Sequence, residues 1–320
     1  MGDKRKIGLL GFFAVFLLVA PFFVGGYWER VLTSLFMFAV LAQAWNIVAG
    51  YCGCPSFGNV VFFGLGAYTT CVFMVHLKMP FYVGIAAGVV LCVIFCVLVG
   101  LFILRLKGHY FAIATLGVAE ATRELISNLG TITQGSEGIS LPLIEGNVET
   151  IYRLFYYTML LIMAASIVVT WFISQNRVGY AFRAIRSDED AASTMGIDTA
   201  RYKITAWAIS AFFTGLVGGI YAYWTAFINP EGVFSVNMTV KMIIMTLLGG
   251  AGTVLGPIFG AFFFELLSEI IWGAFIYAHA SFLGILIILI VIFVPGGIIK
   301  LTQERFSFRA LLKHVQENRI

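Results

Sequence analysis

Residues 81–104 read FYVGIAAGVVLCVIFCVLVGLFIL and contain no charged side chain. The run exceeds the roughly 20 apolar residues that a helix needs to cross the hydrocarbon core of a bilayer. Lipid cannot satisfy free backbone polar groups, so a spanning segment must be a helix or a strand of a closed barrel. The run lacks the period-2 alternation of a barrel strand. It therefore predicts a transmembrane helix.

The composition of the whole chain indicates the same setting. Hydrophobic residues make up 60% of the 320 residues, charged residues make up 11%, and the mean hydropathy is +0.96. An ordinary soluble domain carries about 25% charged residues. The net charge of +4 is too small and too scattered to indicate nucleic-acid binding. We predict an all-α, polytopic membrane helical bundle that forms one domain over residues 1–320.

The positions of the charges predict the orientation of the chain. Basic residues cluster in four places, and the positive-inside rule assigns these segments to the cytoplasm. They are residues 4–6, 105–107, 177–203 and the C-terminal tail at 300–320. The loop at 127–150 contains Glu but neither Lys nor Arg, which predicts that it lies outside. Both termini are then cytoplasmic, and the number of spans is even.

Ten apolar segments fit this charge distribution. They are residues 7–25, 30–49, 56–77, 81–104, 109–126, 151–174, 204–228, 237–250, 257–276 and 280–299. The first segment is interpreted as a retained helix, because its apolar run does not end at a small-residue cleavage site. The fifth is charged and the eighth is short, so either could be re-entrant or broken, and eight full spans is the alternative.

Glycine clusters predict close contact between helices, because small residues let membrane helices approach each other. The alternative is that glycines interrupt helices beside a transport path, as in transporters built from inverted repeats. Five cysteines occur, but their spacing matches no metal-binding pattern. The sequence lacks G-x-x-x-x-G-K-[ST], H-E-x-x-H and G-x-S-x-G, so we predict no nucleotide site, no metal, no cofactor and no catalytic activity.

Polar residues within apolar segments are candidates for a translocation path, because their burial in hydrocarbon is costly. Gln43 and Asn46 share one helix face, and interhelical hydrogen bonding is an equally good explanation for them. Glu120 and Arg123 are three residues apart and can pair. The predicted path residues are Gln43, Asn46, Tyr51, Ser56, Glu120 and Arg123. Glu265 and Glu269 are four apart and would suit an ion site.

Residues 177–203 read RVGYAFRAIRSDEDAASTMGIDTARYK and form a charged island between apolar segments. Acidic residues at 188–190 suit the first turn of a helix, and Gly196 can end that helix in a left-handed cap. The spacing from Asp190-Ala191-Ala192 to Gly196 resembles the E-A-A-x-x-x-G cytoplasmic loop of ABC-importer permeases. The resemblance implies a cytoplasmic loop at 175–203 that couples the permease to an ATPase. Its candidate coupling residues are Arg183, Arg186, Asp188, Glu189, Asp190, Ala191, Ala192 and Gly196.

Five further motifs are similar to those of the M-type permeases of high-affinity branched-chain amino acid ABC importers. Residues 50–58 (GYCGCPSFG) lead into 62–68 (FFGLGAY) and resemble the family's G-Y-x-G-x-x-S-x-G and F-F-G-x-G-A-Y. Residues 104–117 (LRLKGHYFAIATLG), 133–139 (TQGSEGI) and 247–257 (LLGGAGTVLGP) match its remaining motifs in order and spacing.

This resemblance implies a permease subunit in a bacterial inner membrane that translocates leucine, isoleucine and valine. The implied partners are a second homologous permease, two cytoplasmic ABC ATPases and an extracytoplasmic substrate-binding protein. Cys52, Cys54 and His109 depart from the residues common in the family, so relatives that carry urea, amides or aromatic acids remain as alternatives. An ion-coupled secondary transporter that uses Glu265 or Glu269 is the competing class.

Overall fold

The computed structural model describes residues 17–142 and 147–274, together with the single positions Gly284 and Gly297. This part of the chain is mainly helical. The helices are α1 (Gly26–Trp45), α2 (Asn59–Val75), α3 (Phe81–Ile103), α4 (His109–Asn128), α5 (Gly130–Thr133), α6 (Val148–Gln175), α7 (Arg177–Ser187), α8 (Glu189–Thr194), α9 (Thr199–Thr225), α10 (Pro230–Val233), α11 (Val236–Gly249) and α12 (Gly256–Ala274). A π-helical segment, Asn46–Tyr51, continues α1, and short 3-10 turns occupy Ala20–Phe22 and Gly135–Glu137.

Five stretches of the described chain are long and apolar enough to cross a membrane. They are Gly26–Tyr51, Phe81–Ile103, Val148–Gln175, Thr199–Thr225 and Pro230–Gly249. The prediction of a helical membrane bundle is therefore confirmed. Most of the first predicted segment, nearly all of the tenth and the tail at 300–320 lie outside the described residues, so the count of about ten spans stays a prediction.

The helix bounds follow from local capping chemistry. The chain extends through Pro80 before α3 begins, and α6 begins after Asn147, whose Oδ1 accepts a hydrogen bond from the backbone N–H of Glu149 at 3.3 Å. Asp198 caps α9 in the same way, by accepting from the N–H of Arg201 at 3.1 Å. Side-chain oxygens at these positions satisfy backbone donors that a helix start leaves free. The cap at Asp198 explains why the helix predicted from 204 begins earlier.

The central helix of the described bundle is α1 with its π-helical continuation. In its most apolar stretch 89% of the residues are buried, whereas the corresponding share in α3 is 28%. Helix α1 packs against α6, α9, α11 and α12, while α3 packs mainly against α2 and α9. The outward side of α3 carries exposed apolar residues such as Leu98 and Phe102. That surface suits contact with lipid, where apolar side chains carry no cost.

Contacts between loops define two ends of the bundle. At one end the loop after α3 meets the charged island, where Lys107 and Asp190 pair at 2.5 Å. At the other end His76 Nε2 lies 2.9 Å from the carbonyl oxygen of Ile132. The first end therefore brings together two of the four segments that the charge distribution assigned to the cytoplasm, residues 105–107 and 177–203, and we call it the island end. The loop after α4, which was predicted to be external, lies at the opposite end.

A small strand pair closes the end opposite the island. Strand β1 (Ile139–Ser140) pairs antiparallel with β2 (Phe227–Ile228), with Ile139 opposite Ile228. The backbone N–H of Leu141 also donates to the carbonyl of Ala226 at 2.8 Å. The all-α prediction missed this pair, because two residues per strand give no readable period-2 pattern. The pair ties the loop after α4 to the loop after α9.

Helices α2 and α9 approach so closely that glycine is required at the contact. A Cβ atom on Gly66 would overlap the backbone of Gly215, and one on Gly218 would overlap the backbone of Phe63. Close packing is thus the role of these glycines in the described structure, as predicted.

The helix predicted over 237–250 is the second part of a broken helix. Phe234 and Ser235 separate this part, α11, from the short helix α10 that precedes it. An internal inverted repeat stays a prediction.

We expect Gly66→Ala to lower the free energy of unfolding by about 1–3 kcal/mol, the usual cost of overpacking. The matched control is Gly117→Ala on α4, where no atom lies within 4 Å of the added Cβ. That control should be neutral, or more stable by up to about 1 kcal/mol through its higher helix propensity. The measurement is the thermal unfolding of the purified chain in detergent. Equal midpoints for the two variants would contradict the proposed contact.

Candidate coupling and translocation site

The charged island folds into two short helices, α7 and α8. Asp188 separates them in an extended conformation and caps α8, because its Oδ1 accepts from the N–H groups of Asp190 at 2.9 Å and Ala191 at 3.0 Å. Glu189 and Asp190 occupy the first turn, where negative charge opposes the positive end of the helix dipole. The predicted helix start at the acidic run is confirmed.

Gly196 ends α8 in the predicted left-handed conformation, with φ of +87°. The N–H of Gly196 donates to the carbonyl of Ser193 at 3.0 Å, and that of Ile197 donates to the carbonyl of Ala192 at 3.1 Å. These two bonds form a Schellman motif, which satisfies carbonyls at a helix end. Ala192 and Ile197 also pack into the same apolar cluster. Helix α8 is therefore capped at both ends.

One side of α8 is buried and the rest is exposed. Ala192 is buried, whereas Ala191 and Asp190 are exposed. Met195, at the tip of the turn, is 84% exposed. Sequence reasoning missed Met195; the available signal was a large apolar residue directly before the capping glycine of a polar segment. The island thus presents an apolar knob at the end of the bundle.

Two ion pairs hold the first turn of α8 against the rest of the chain. Lys203 Nζ lies 2.5 Å from Glu189 Oε1, and the side chains are 3% and 24% exposed, respectively. Lys107 Nζ lies 2.5 Å from Asp190 Oδ1 on the surface, and this hydrogen bond raises the pKa of Lys107. Neither lysine was a predicted site residue. Glu189 and Asp190 are thus bound to α9 and to the loop after α3.

The two predicted arginines of the island have different partners. Arg183 donates to the carbonyl of Ser174 at 3.1 Å and lies over the ring of Tyr180, 4.7 Å from its centroid. Arg186 instead leaves the island and donates through Nη1 to the carbonyl of Gly50. Arg183 therefore stabilises the junction of α6 and α7, whereas Arg186 contacts the end of the central helix.

Near that contact, two predicted path residues hold a turn of the chain. Gln43 Nε2 donates to the carbonyl of Val254 at 3.0 Å. The amide of Asn46 bonds twice, donating to the carbonyl of Thr253 at 2.9 Å and accepting from the N–H of Gly252 at 2.7 Å. Both side chains are fully buried. Both amides bond to this turn and not to a neighbouring helix, and their place on a translocation path stays a prediction.

Tyr51, the last residue of the π-helical segment, and Ser56, in the loop that follows, are also buried. Ser56 Oγ accepts from the N–H of Gly58 at 3.2 Å, and its carbonyl accepts from the indole N–H of Trp45 at 2.8 Å. A cavity of about 40 Å³ lies nearby, and Cys52, Cys54, Glu189 and Lys203 are among its lining residues. Among the described residues no group of three or more His, Cys, Asp or Glu is placed to hold a metal.

Glu120 and Arg123 lie elsewhere, on helix α4. Their side chains pair at 2.9 Å as predicted, and Arg123 also pairs with Glu124 at 3.0 Å. The buried side of α4 is a single stripe that includes Phe111, Thr115, Ala119, Thr122 and Ile126. The charged triplet lies off this stripe and is partly exposed. The six predicted path residues thus form two groups, one buried at the end of α1 and one on an uncovered face of α4.

Glu265 and Glu269, the candidates for an ion site, each have an interhelical hydrogen bond. Ser34 Oγ donates to Glu265 Oε1 at 3.2 Å, and the hydroxyl of Tyr27 donates to Glu269 Oε1. Both contacts join α12 to α1. Each bond uses one carboxylate oxygen, and Oε2 of Glu265 is buried without a hydrogen-bond partner among the described residues, so an ion site there stays a prediction.

Comparison with known proteins shows which protein family this chain matches. Residues 27–294 match the family model described as "Branched-chain amino acid transport system / permease component". The chain is 27% identical to the high-affinity branched-chain amino acid transport system permease protein LivM of Escherichia coli K12, over 96% of this chain and 77% of that protein. It is 24% identical to a probable LivM of Methanocaldococcus jannaschii (82% and 90% covered) and 24% identical to the LivH permease of E. coli K12 (82% and 91%). No solved structure matches significantly.

We expect Lys203→Met to destabilise the island end of the protein. Removing one partner of a fully buried ion pair costs about 3–5 kcal/mol, and the partial exposure of Glu189 favours the lower part of that range. The double variant Lys203→Met/Glu189→Leu should recover part of the loss, because no charge is then left unpaired. Lys107→Met, which breaks an exposed pair, is the control and should change thermal unfolding little. Additive effects of the two single substitutions at 203 and 189 would contradict the pairing.

Proposed function

The chain belongs to the family of branched-chain amino acid transport system permease components, and from that membership we propose that it is the membrane-spanning permease subunit of an ABC importer for leucine, isoleucine and valine. ATP is hydrolysed on separate partner subunits, since no P-loop motif occurs in the sequence. The proposed location is the bacterial cytoplasmic membrane, with both termini in the cytoplasm.

The observation that carries the proposal is the construction of α8. A helix of six residues in isolation is far too short to be stable in water. Here it has a side-chain cap at Asp188, a Schellman motif at Gly196 and ion pairs to Lys107 and Lys203. Such rigid support of an exposed apolar tip suits a contact that must transmit force. We propose that Met195 and the exposed residues of α8 dock into a groove on a cytoplasmic ATPase.

The uncovered face of α4 supports a second permease as partner. A charged triplet facing hydrocarbon would be costly, so Glu120, Arg123 and Glu124 must face protein or water. We propose that this face lies against the partner permease and lines the translocation path between the two subunits. The heterodimer then encloses the charges that this chain leaves uncovered.

Gln43, Asn46, Tyr51 and Ser56 are proposed to form the part of the path nearest the cytoplasm. All four are buried in this conformation, and two of them hold the turn at 252–254. Movement of that turn away from the central helix would free the amides of Gln43 and Asn46 for substrate. We therefore propose that the turn acts as a gate, which we call the 252–254 gate.

An external binding protein supplies specificity in this proposal. A zwitterionic amino acid with an apolar side chain needs backbone amides and apolar walls rather than a strong charge, and the described path candidates are largely neutral or already paired. A weakly binding path also lets the substrate leave.

The chain alone, purified and reconstituted into liposomes, should show no leucine binding near the micromolar range. The binding protein measured in parallel should bind at that concentration, since it is proposed to hold the specificity. The measurement is isothermal titration or equilibrium dialysis with labelled leucine. Clear micromolar binding by the chain itself would contradict this division of roles.

A pull-down from mildly solubilised membranes tests the coupling site. The tagged chain should recover a P-loop ATPase and a second permease, identified by mass spectrometry. Reversal of Asp188, Glu189 and Asp190 to Lys should release the ATPase, because it removes both the cap and the ion pairs of α8. Gly196→Pro should uncouple transport, since proline cannot adopt the φ of +87° observed there.

Met195→Glu is the sharper variant in this experiment, because it alters the exposed tip without breaking an internal contact. We expect at least tenfold less ATPase recovery with unchanged recovery of the permease partner. The matched control is Val148→Glu, an exposed residue at the opposite end of the bundle, which should retain the ATPase. Full ATPase recovery with both the charge-reversed island and Met195→Glu would refute the docking surface.

A further inference from the structure

Arg186 lies where the island meets two loops of the membrane bundle. Its guanidinium donates to the carbonyl of Gly50, the fifth residue of the π-helical segment. A π-helical segment is rare and is found most often at functional sites. The bond joins helix α7 of the island to the end of the most buried helix, although the residues are far apart in sequence.

Two glycines, Gly53 and Gly252, lie so close to Arg186 that neither position has room for a side chain. A Cβ atom on Gly53 would lie 2.9 Å from the Cα of Arg186, and one on Gly252 would lie 2.5 Å from Arg186 Nη1. Both glycines also have positive φ, of +76° and +82°. The loop after α1 and the 252–254 gate are therefore shaped so that the arginine can enter between them.

The contact continues from Gly50 into the gate. Asn46 begins the same π-helical segment, and its amide accepts from the N–H of Gly252 and donates to the carbonyl of Thr253. Hydrogen bonds from Arg are charge-assisted and about twice as strong as neutral ones. Arg186 thus bonds to one end of the π-helical segment, and Asn46, four residues before Gly50 on the same segment, bonds to the gate.

We propose that Arg186 is a positioning residue that links movement of the island to opening of the 252–254 gate. The inference rests on the proposed function, because it assumes that an ATPase moves the island. When α7 shifts, its arginine displaces the carbonyl of Gly50, and the π-helical segment carries that displacement to Asn46 and the gate. Without the guanidinium the ATPase still binds, but its cycle of ATP hydrolysis no longer opens the 252–254 gate.

Cys54 provides a native reporter for this movement. It lies one residue from Gly53, is 9% exposed and lines the small cavity beside Lys203. The hydrogen bond shared with Cys52 lowers the pKa of Cys54, and the ammonium of Lys203 lowers it further. A thiol reacts as its thiolate. The rate of labelling by N-ethylmaleimide therefore reports access to the loop that contacts Arg186, and mass spectrometry of the labelled peptide separates Cys54 from the other cysteines.

The test compares Arg186→Gln with the control Arg105→Gln in membranes that contain the complete transporter. Arg105 is exposed at the same end of the bundle and has no hydrogen bond or ion pair to the described residues. Both variants lose one positive charge. Three quantities are measured: recovery of the ATPase, leucine uptake per ATP hydrolysed, and the rate of Cys54 labelling with and without ATP plus vanadate.

We expect trapped nucleotide to change Cys54 labelling several-fold in the unmodified protein and in Arg105→Gln. In Arg186→Gln the change should fall below about twofold and uptake per ATP should fall about tenfold, with ATPase recovery unchanged. A merely structural role would alter the recovery and leave the nucleotide response of the surviving complexes intact.

Three outcomes would overturn the inference. The first is that Arg186→Gln shows the same nucleotide response and the same uptake as the control. The second is that this variant alone loses the ATPase. If Arg186→Gln fails to accumulate, Arg186→Lys takes its place. Lysine keeps the charge and a donor for Gly50 but lacks the planar guanidinium, whose Nη1 lies both against Gly50 and beside Gly252. A full nucleotide response in that variant is the third outcome. Absence of any ATPase from the unmodified protein would instead refute the proposed function itself.

Discussion

A buried side-chain amide in a membrane protein can find hydrogen-bond partners only within the protein. Gln43 of α1 and Asn46 of its π-helical continuation both donate to carbonyls of the turn at 252–254. This requirement ties the most buried helix to the loop between α11 and α12. The same turn is where Arg186 enters from the island. The arrangement of the island end therefore depends on satisfying a few polar groups at the end of one apolar helix.

The island combines rigidity with an exposed contact surface. Its second helix is too short to be stable by itself. Its two caps and its ion pair to the buried Lys203 supply stability that its length does not provide, whereas the exposed pair with Lys107 adds little. Most of its surface remains free, because Ala192 is its only buried residue and Glu189 is half-buried against Lys203. A partner that binds this surface acts on a part of the chain that is rigidly connected to α9 and, through Arg186, to α1.

Several features were predictable because they depend on neighbouring residues alone. The apolar run at 81–104 forms a helix over Phe81–Ile103, Glu120 and Arg123 pair three residues apart, and Gly196 adopts a left-handed cap. Others could not be predicted, because they join residues distant in the chain. Lys203 finds Glu189 across the island, and β1 finds β2 after nearly 90 residues of intervening chain. Periodicity and capping rules carry no information about such pairings.

By itself the sequence determined the membrane setting, the helical class and the island helix, because hydrocarbon excludes unpaired backbone groups and glycine and acidic residues act locally on helix ends. Its motifs also led to the permease family that the comparison identified. Only the tertiary structure decided that Gln43 and Asn46 face a turn, that Glu120 and Arg123 lie on an uncovered face and that Arg186 reaches Gly50. These positions follow from how the helices pack, and the direction of a polar side chain is set by whichever partner the packing brings within hydrogen-bonding distance.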